Sequence, residues 1–212
     1  MNENDLCGIS VVSYAVGRAF SNPVSNLLNV LSATHDTYAV IGAQGQTHFQ
    51  KVNDSVHMCI FPYQPESSLV MKIFKHGILQ LKISFKLFSS RKYFQDVIYF
   101  MVYPPLLPMI AAKLCNKKVH WLLSAKIALS PNDTSKLAVV LSEICCNLCN
   151  NIILYSPSLV SYWNLERYHH KILIAHEHFI DFDTFTVTTP LPDRPPLIGY
   201  IGRLSGEKGV QH

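Results

Sequence analysis

The chain has 212 residues, of which 49% are hydrophobic and 15% charged, and a net charge of +4. That composition excludes a disordered chain and provides for one full domain and part of another. The charge excess is too thin for a nucleic-acid binder, and the most membrane-like run, Val97–Ala112, is short for a bilayer and broken by Pro104, Pro105 and Pro108.

The chain begins Met1-Asn2-Glu3-Asn4-Asp5, acidic and polar, the opposite of an export signal. The expectation is a cytoplasmic protein, soluble or peripheral on the inner face of the plasma membrane. Its six cysteines then read as reduced thiols, and the sequons at Asn53 and Asn132 as chance matches.

Gly8–Ala15 is a first buried strand. Pro23–Ser32 has Val24, Leu27, Leu28 and Leu31 at helical spacing, with Asn22 as cap and Pro23 in the first turn. Tyr38–Ala43 and Val56–Pro62 are strands, and Leu69–Phe88 is a long helix. Val97–Val102 is a strand, Leu106–Cys115 a helix, Val119–Leu123 a strand and Ser135–Cys149 a helix. Ile152–Tyr155, a short helix over Ser158–Tyr168 and a strand at Lys171–Ala175 complete the series. Short apolar runs alternating with helices predict an α/β domain, a Rossmann-like doubly wound parallel sheet over 1–188.

The segment 189–196 contains Pro190, Pro192, Pro195 and Pro196, which deny it helix or central strand, so it reads as an interdomain linker. Leu197–Ile201 then starts a fresh apolar strand, and 197–212 is too short to bury a core of its own. The expectation is a second domain whose larger part is missing from this sequence.

The chemistry concentrates in Gly202-Arg203-Leu204-Ser205-Gly206-Glu207-Lys208-Gly209, after that strand and at the start of a helix. Glycines let the backbone approach a ligand, and a helix start offers free N–H groups. Arg203 supplies a fork of donors and Lys208 a point charge, a set suited to a diphosphate. No Walker A spacing is present. The bland reading of the same residues is an ordinary strand–turn–helix junction with solvated side chains.

The run IGYIGRLSGEKG closely resembles the start of the nucleotide-sugar domain in retaining glycosyltransferases of family 4 (group 1), which have the GT-B fold. The resemblance is specific over Leu197–Val210 and diffuse over the preceding domain. It implies that Arg203 and Lys208 bind the diphosphate of a sugar nucleotide and stabilise it as it leaves, that Gly202 and Gly209 belong to the same diphosphate-binding loop, and that Glu207 and Gly209 shape the helix start. No metal and no cofactor are implied. The family's glycine-rich loop after the first strand falls on Gly17 and Arg18, a possible acceptor and phosphate loop with only one glycine left; a plain strand-to-helix turn is the alternative. The sequence departs from the family at Ser124-Ala125, where many relatives have a sugar-contacting His, and the family's Glu-x7-Glu motif would lie beyond residue 212.

Weaker groupings have simpler readings. Cys145, Cys146 and Cys149 lie on an apolar helix and read as buried thiols rather than a zinc site. His176-Glu177-His178 reads as an interdomain loop, His169-His170 as a surface pair, and His120 as a core or interface histidine. In Leu69–Lys92 no acidic residue occurs, while Lys72, Lys75, Lys82 and Lys86 fall within an arc of roughly 80° on the helix. This stripe suits an anionic membrane surface, with a lipid or lipid-linked glycan as acceptor; a core helix with a solvated basic face is the alternative.

The sequence therefore points to an enzyme that moves a sugar from a nucleoside-diphosphate sugar to a glycan or lipid acceptor, with retention. The alternatives are a catalytically inactive truncated remnant of such an enzyme and an unrelated nucleotide-binding α/β domain.

Overall fold

The computed structural model describes residues 8–16, 18–45, 49, 52–64, 68–101, 103–124, 127, 136–175, 186 and 188–196. The chain divides into two units, Met1–His176 and Glu177–His212. The first contains seven strands: β1 (Ile9–Val16), β2 (Thr37–Gln44), β3 (His57–Tyr63), β4 (Asp96–Phe100), β5 (Lys118–Leu122), β6 (Asn151–Leu154) and β7 (Ile172–Ile174). They form one sheet in the order β3-β2-β1-β4-β5-β6-β7, and every pairing is parallel. In the second unit Leu191–Asp193 form a 3-10 turn, and Arg194 Nε donates to the Thr189 carbonyl at 2.8 Å.

Parallel strands need crossovers, and the helices supply them. They are α1 (Arg18–Ser32), α2 (Leu69–Ser89), α3 (Leu106–Leu114), α4 (Lys136–Leu148) and the short α5 (Leu159–Tyr162). The central strands β1, β2, β4 and β5 are buried on both faces, which is why they read as nearly continuous apolar runs, whereas the edge strands β3 and β7 are partly exposed. Val12, Val97, Tyr99 and Trp121 pack with Leu79 and Ile83 of α2, Met109 of α3 and Cys145 of α4. The neighbouring strand residues Val11, Ile41 and Phe100 turn the other way and pack with Val24 and Leu28 of α1.

The expected first helix is corrected at its start. It begins at Arg18 rather than Pro23, and Pro23 lies inside it. Proline has no N–H to offer the carbonyl four residues back, a loss of one bond that a helix with Val24, Ser25 and Leu28 buried can absorb. The segment expected as one helix over Ser158–Tyr168 is split into α5 and a 3-10 helix at Glu166–Lys171. Asn164, at φ 56° between them, is left-handed, which interrupts the α-helical ladder. At Gly42 on β2 a methyl group would lie 2.8 Å from Leu79 Cδ2 and from Tyr14 Cβ, so α2 packs against the sheet there only because residue 42 has no side chain.

Candidate functional site

The strand order reverses direction between β1 and β4. The chain leaves β1 toward β2 and β3 on one side and continues from β4 toward β7 on the other. In open parallel sheets the crevice outside the carboxyl ends of strands at such a point is where ligands bind. The residues there come from β1, the β4–α3 connection and α2.

This end of the sheet is held by side chains bonded to backbone. Ser13 Oγ of β1 donates to the Phe100 carbonyl at 2.7 Å, and Trp121 Nε1 donates to the Met101 carbonyl at 3.1 Å. Tyr99 donates its hydroxyl to the Pro108 carbonyl at 2.7 Å, and the Leu107 N–H donates to Gln80 Oε1 at 3.1 Å. Prolines in the β4–α3 connection deny it ladder bonds, and these side chains fix it instead.

Three aromatic rings meet at this end. His76 of α2 lies edge-on to Tyr14 of β1, with ring centroids 5.0 Å apart, and 6.1 Å from Tyr103 just past β4. The Tyr14 hydroxyl donates to the Pro104 carbonyl over a long 3.4 Å. Burial, with the Cys145 thiol adding to it, pushes the Tyr14 phenol well above its ordinary range, so it stays a donor. Burial lowers the His76 imidazole below its ordinary value, which leaves it uncharged at neutral pH. An uncharged ring nitrogen can take up a proton from a hydroxyl. Residue-type patterns along the sequence missed this group, because its members are separated by tens of positions. The signal available was positional: residues at the carboxyl ends of β1 and β4.

Of the site residues expected from sequence, Arg18 is the first residue of α1. Gly17, Gly202, Arg203, Lys208 and Gly209 lie outside the described residues, as do His176, Glu177 and His178. Ser124 follows the end of β5, and Ala125 lies outside the described residues. His120 lies toward the amino ends of the strands: its Nε2 is 2.7 Å from Asp96 Oδ1, and Asn151 Nδ2 is 3.0 Å from its Nδ1, a structural bridge across β4, β5 and β6. His169 and His170 are exposed. Burial pushes the Cys145 thiol up to about 12 and Cys149 to about 11, so both pack as protonated apolar groups rather than as thiolates ready for a metal.

No protein-family model matches the chain, and no curated protein matches it in sequence. Solved structures share its fold. HepE from Anabaena, in complex with UDP, is 14% identical with a TM-score of 0.53, over 81% of this chain and 44% of that one. UDP-N-acetylglucosamine 2-epimerase from Rickettsia bellii is 10% identical with a TM-score of 0.54, over 80% and 45%. UGT2 from Phytolacca americana, complexed with UDP-2-fluoro-glucose and pterostilbene, is 11% identical with a TM-score of 0.55, over 84% and 56%. The chain thus spans about half the length of the structures it matches. At these identities the likeness is one of fold: a Rossmann-like α/β lobe of the GT-B kind.

Proposed function

We propose that this chain is the acceptor-side part of a two-domain enzyme acting on a nucleoside-diphosphate sugar, and that its reaction is glycosyl transfer. The observation that carries this reading is a conjunction. A seven-stranded lobe sharing its fold with part of structures complexed with UDP is followed in sequence by the Gly-Arg…Lys-Gly run at 202–209. Retention of configuration, and membership of family 4, rest on the resemblance of that run alone.

In this reading the Arg203 guanidinium and Lys208 ammonium hold the diphosphate and neutralise the charge that grows on it as the sugar departs. Gly202 and Gly209 let the backbone approach the phosphates, and the turn at Gly17 and Arg18 stays a candidate acceptor or phosphate loop of the first lobe. In this reading the two side-chain cations do the work a metal would otherwise do, and the transfer needs none. The glycan or lipid acceptor meets the carboxyl ends of β1 and β4, where His76 offers an uncharged nitrogen to the attacking hydroxyl.

A second reading is sugar-nucleotide epimerisation, favoured by the UDP-N-acetylglucosamine 2-epimerases that share the fold to the same degree. Incubating the protein with UDP-sugars separates the two. Transfer releases UDP and joins the sugar to an acceptor, whereas epimerisation converts one UDP-sugar to its isomer without an acceptor. Neither product would favour the inactive remnant, and turnover unchanged in both Arg203→Ala and Lys208→Ala overturns the diphosphate assignment.

A further inference from the structure

We propose that the outer surface of the α2–α3–α4 layer docks on the headgroup region of an anionic phospholipid bilayer. Helices of an α/β sheet normally turn one apolar stripe to the sheet and a polar face to water. These three do something else. In α2 the stripe facing the sheet is Leu79, Ile83 and Leu87, all buried. On the opposite side of the same helix Phe74, Ile78, Leu81, Phe85 and Phe88 are exposed, Phe74 by 61% and Phe85 by 74%.

The pattern extends across the layer. α2 packs beside α3, and α3 beside α4. In α3 the buried residues are Pro108, Met109 and Ala112, and Ile110 and Leu114 point away from them. In α4 the buried residues are Ser142, Cys145 and Cys146, and Leu137 and Val140 point away. At 100° per residue, each outward set lies roughly opposite its own buried set. The outcome is one apolar surface about 30 Å long, the length of the 21-residue α2.

Charge decides what covers it. Lys82 is exposed on α2 between its two apolar faces, and Lys75 and Lys86 lie on the same flank; Lys72, also exposed, sits in the first turn on the line of Leu79 and Ile83. Between Glu66 and Asp133, the stretch that contains α2 and α3, the sequence has ten Lys and Arg and a single acidic residue, Asp96, which starts a strand and meets His120; α4 adds Lys136 and one acid, Glu143, which pairs with Arg167. A protein interface would match those cations with carboxylates. A lipid leaflet matches them with phosphates and takes the phenylalanines into the acyl boundary. Among the described residues no helix is long and apolar enough to cross a membrane, so α2 lies in the interface plane. Docking in this way needs no sugar chemistry, so its test uses no substrate and can fail or succeed independently of the proposed activity.

The test is co-sedimentation of the purified full chain with phosphatidylcholine vesicles, with and without phosphatidylglycerol, and light scattering of the lipid-free protein alongside. The expected result is partition onto the phosphatidylglycerol vesicles that weakens as salt is raised. Lys75→Gln, Lys82→Gln and Lys86→Gln combined should weaken partition about a hundredfold, at about fivefold per lysine. Phe74→Ser with Phe85→Ser should weaken it by at least about tenfold while circular dichroism stays unchanged, because both side chains are already in water. Absence of vesicle binding overturns the proposal. So does binding that neither variant alters. Loss of a dimer in the phenylalanine variant, without any vesicle binding by the parent chain, would assign the surface to a second copy instead.

Discussion

Replacing Leu87 and Phe85 by alanine, one at a time, separates the two apolar faces of α2. Leu87 is 1% exposed and belongs to the buried cluster that includes Val97 and Tyr99. Truncating it removes buried methyl groups and leaves a cavity, a loss of about 2–5 kcal/mol. Phe85 is 74% exposed, so removing its ring takes little away from the folded state, about 0.5 kcal/mol or less. With a urea dependence of about 2 kcal/mol per molar, the unfolding midpoint should fall by about 1–2.5 M for Leu87→Ala and hardly move for Phe85→Ala. Both are read in one urea titration by circular dichroism, at low and high protein concentration. A loss from Phe85→Ala as large as that from Leu87→Ala would refute the reasoning, because the ring would then be covered in solution.

Gly42→Ala should destabilise by about 1–3 kcal/mol, since the new methyl would overpack against Leu79 and Tyr14; calorimetry showing equal or higher stability contradicts the close packing of α2 on β2. Trp121→Phe removes the donor to the buried Met101 carbonyl and should cost about 1–3 kcal/mol, with increased hydrogen exchange in the β4–α3 connection as its local signature. Lys171→Met should cost about 1 kcal/mol, because its ammonium donates to the carbonyls of Cys146, Asn147 and Cys149 where α4 ends. His76 binds its proton more weakly folded than unfolded, so its contribution is full above about pH 6.5 and is lost as pH falls from there toward the lowered folded value. Thermal melts over that window should show a decline that His76→Gln blunts, and an identical decline in the variant removes His76 from the explanation.

The central strands were legible because burial on both faces makes them short, nearly continuous apolar runs, as in Val97–Phe100 and, apart from His120, Val119–Leu122. Helix positions followed from spacing, and their boundaries drifted where backbone chemistry overrode it, at Pro23 inside α1 and at left-handed Asn164 after α5. Helix α2 shows a deeper limit. Apolar residues all round its axis announce that it buries something, but periodicity cannot say which half faces the sheet and which half is left bare. Only the register of Leu79, Ile83 and Leu87 against the strands decides that. The candidate site was legible as a place and not as residues. The glycine-rich run at 202–209 carries a local motif, whereas Tyr14, His76 and Tyr103 are isolated aromatics that only the crossover from β3 through α2 to β4 brings together.

The central proposal, a sugar-nucleotide enzyme that grips its donor with two cations, is tested most directly by calorimetric titration of the protein with UDP. The account predicts binding without added divalent metal, lost in Arg203→Ala and in Lys208→Ala while both variants keep the parent's circular dichroism. Absence of binding, or binding of equal strength in the parent and both variants, contradicts it.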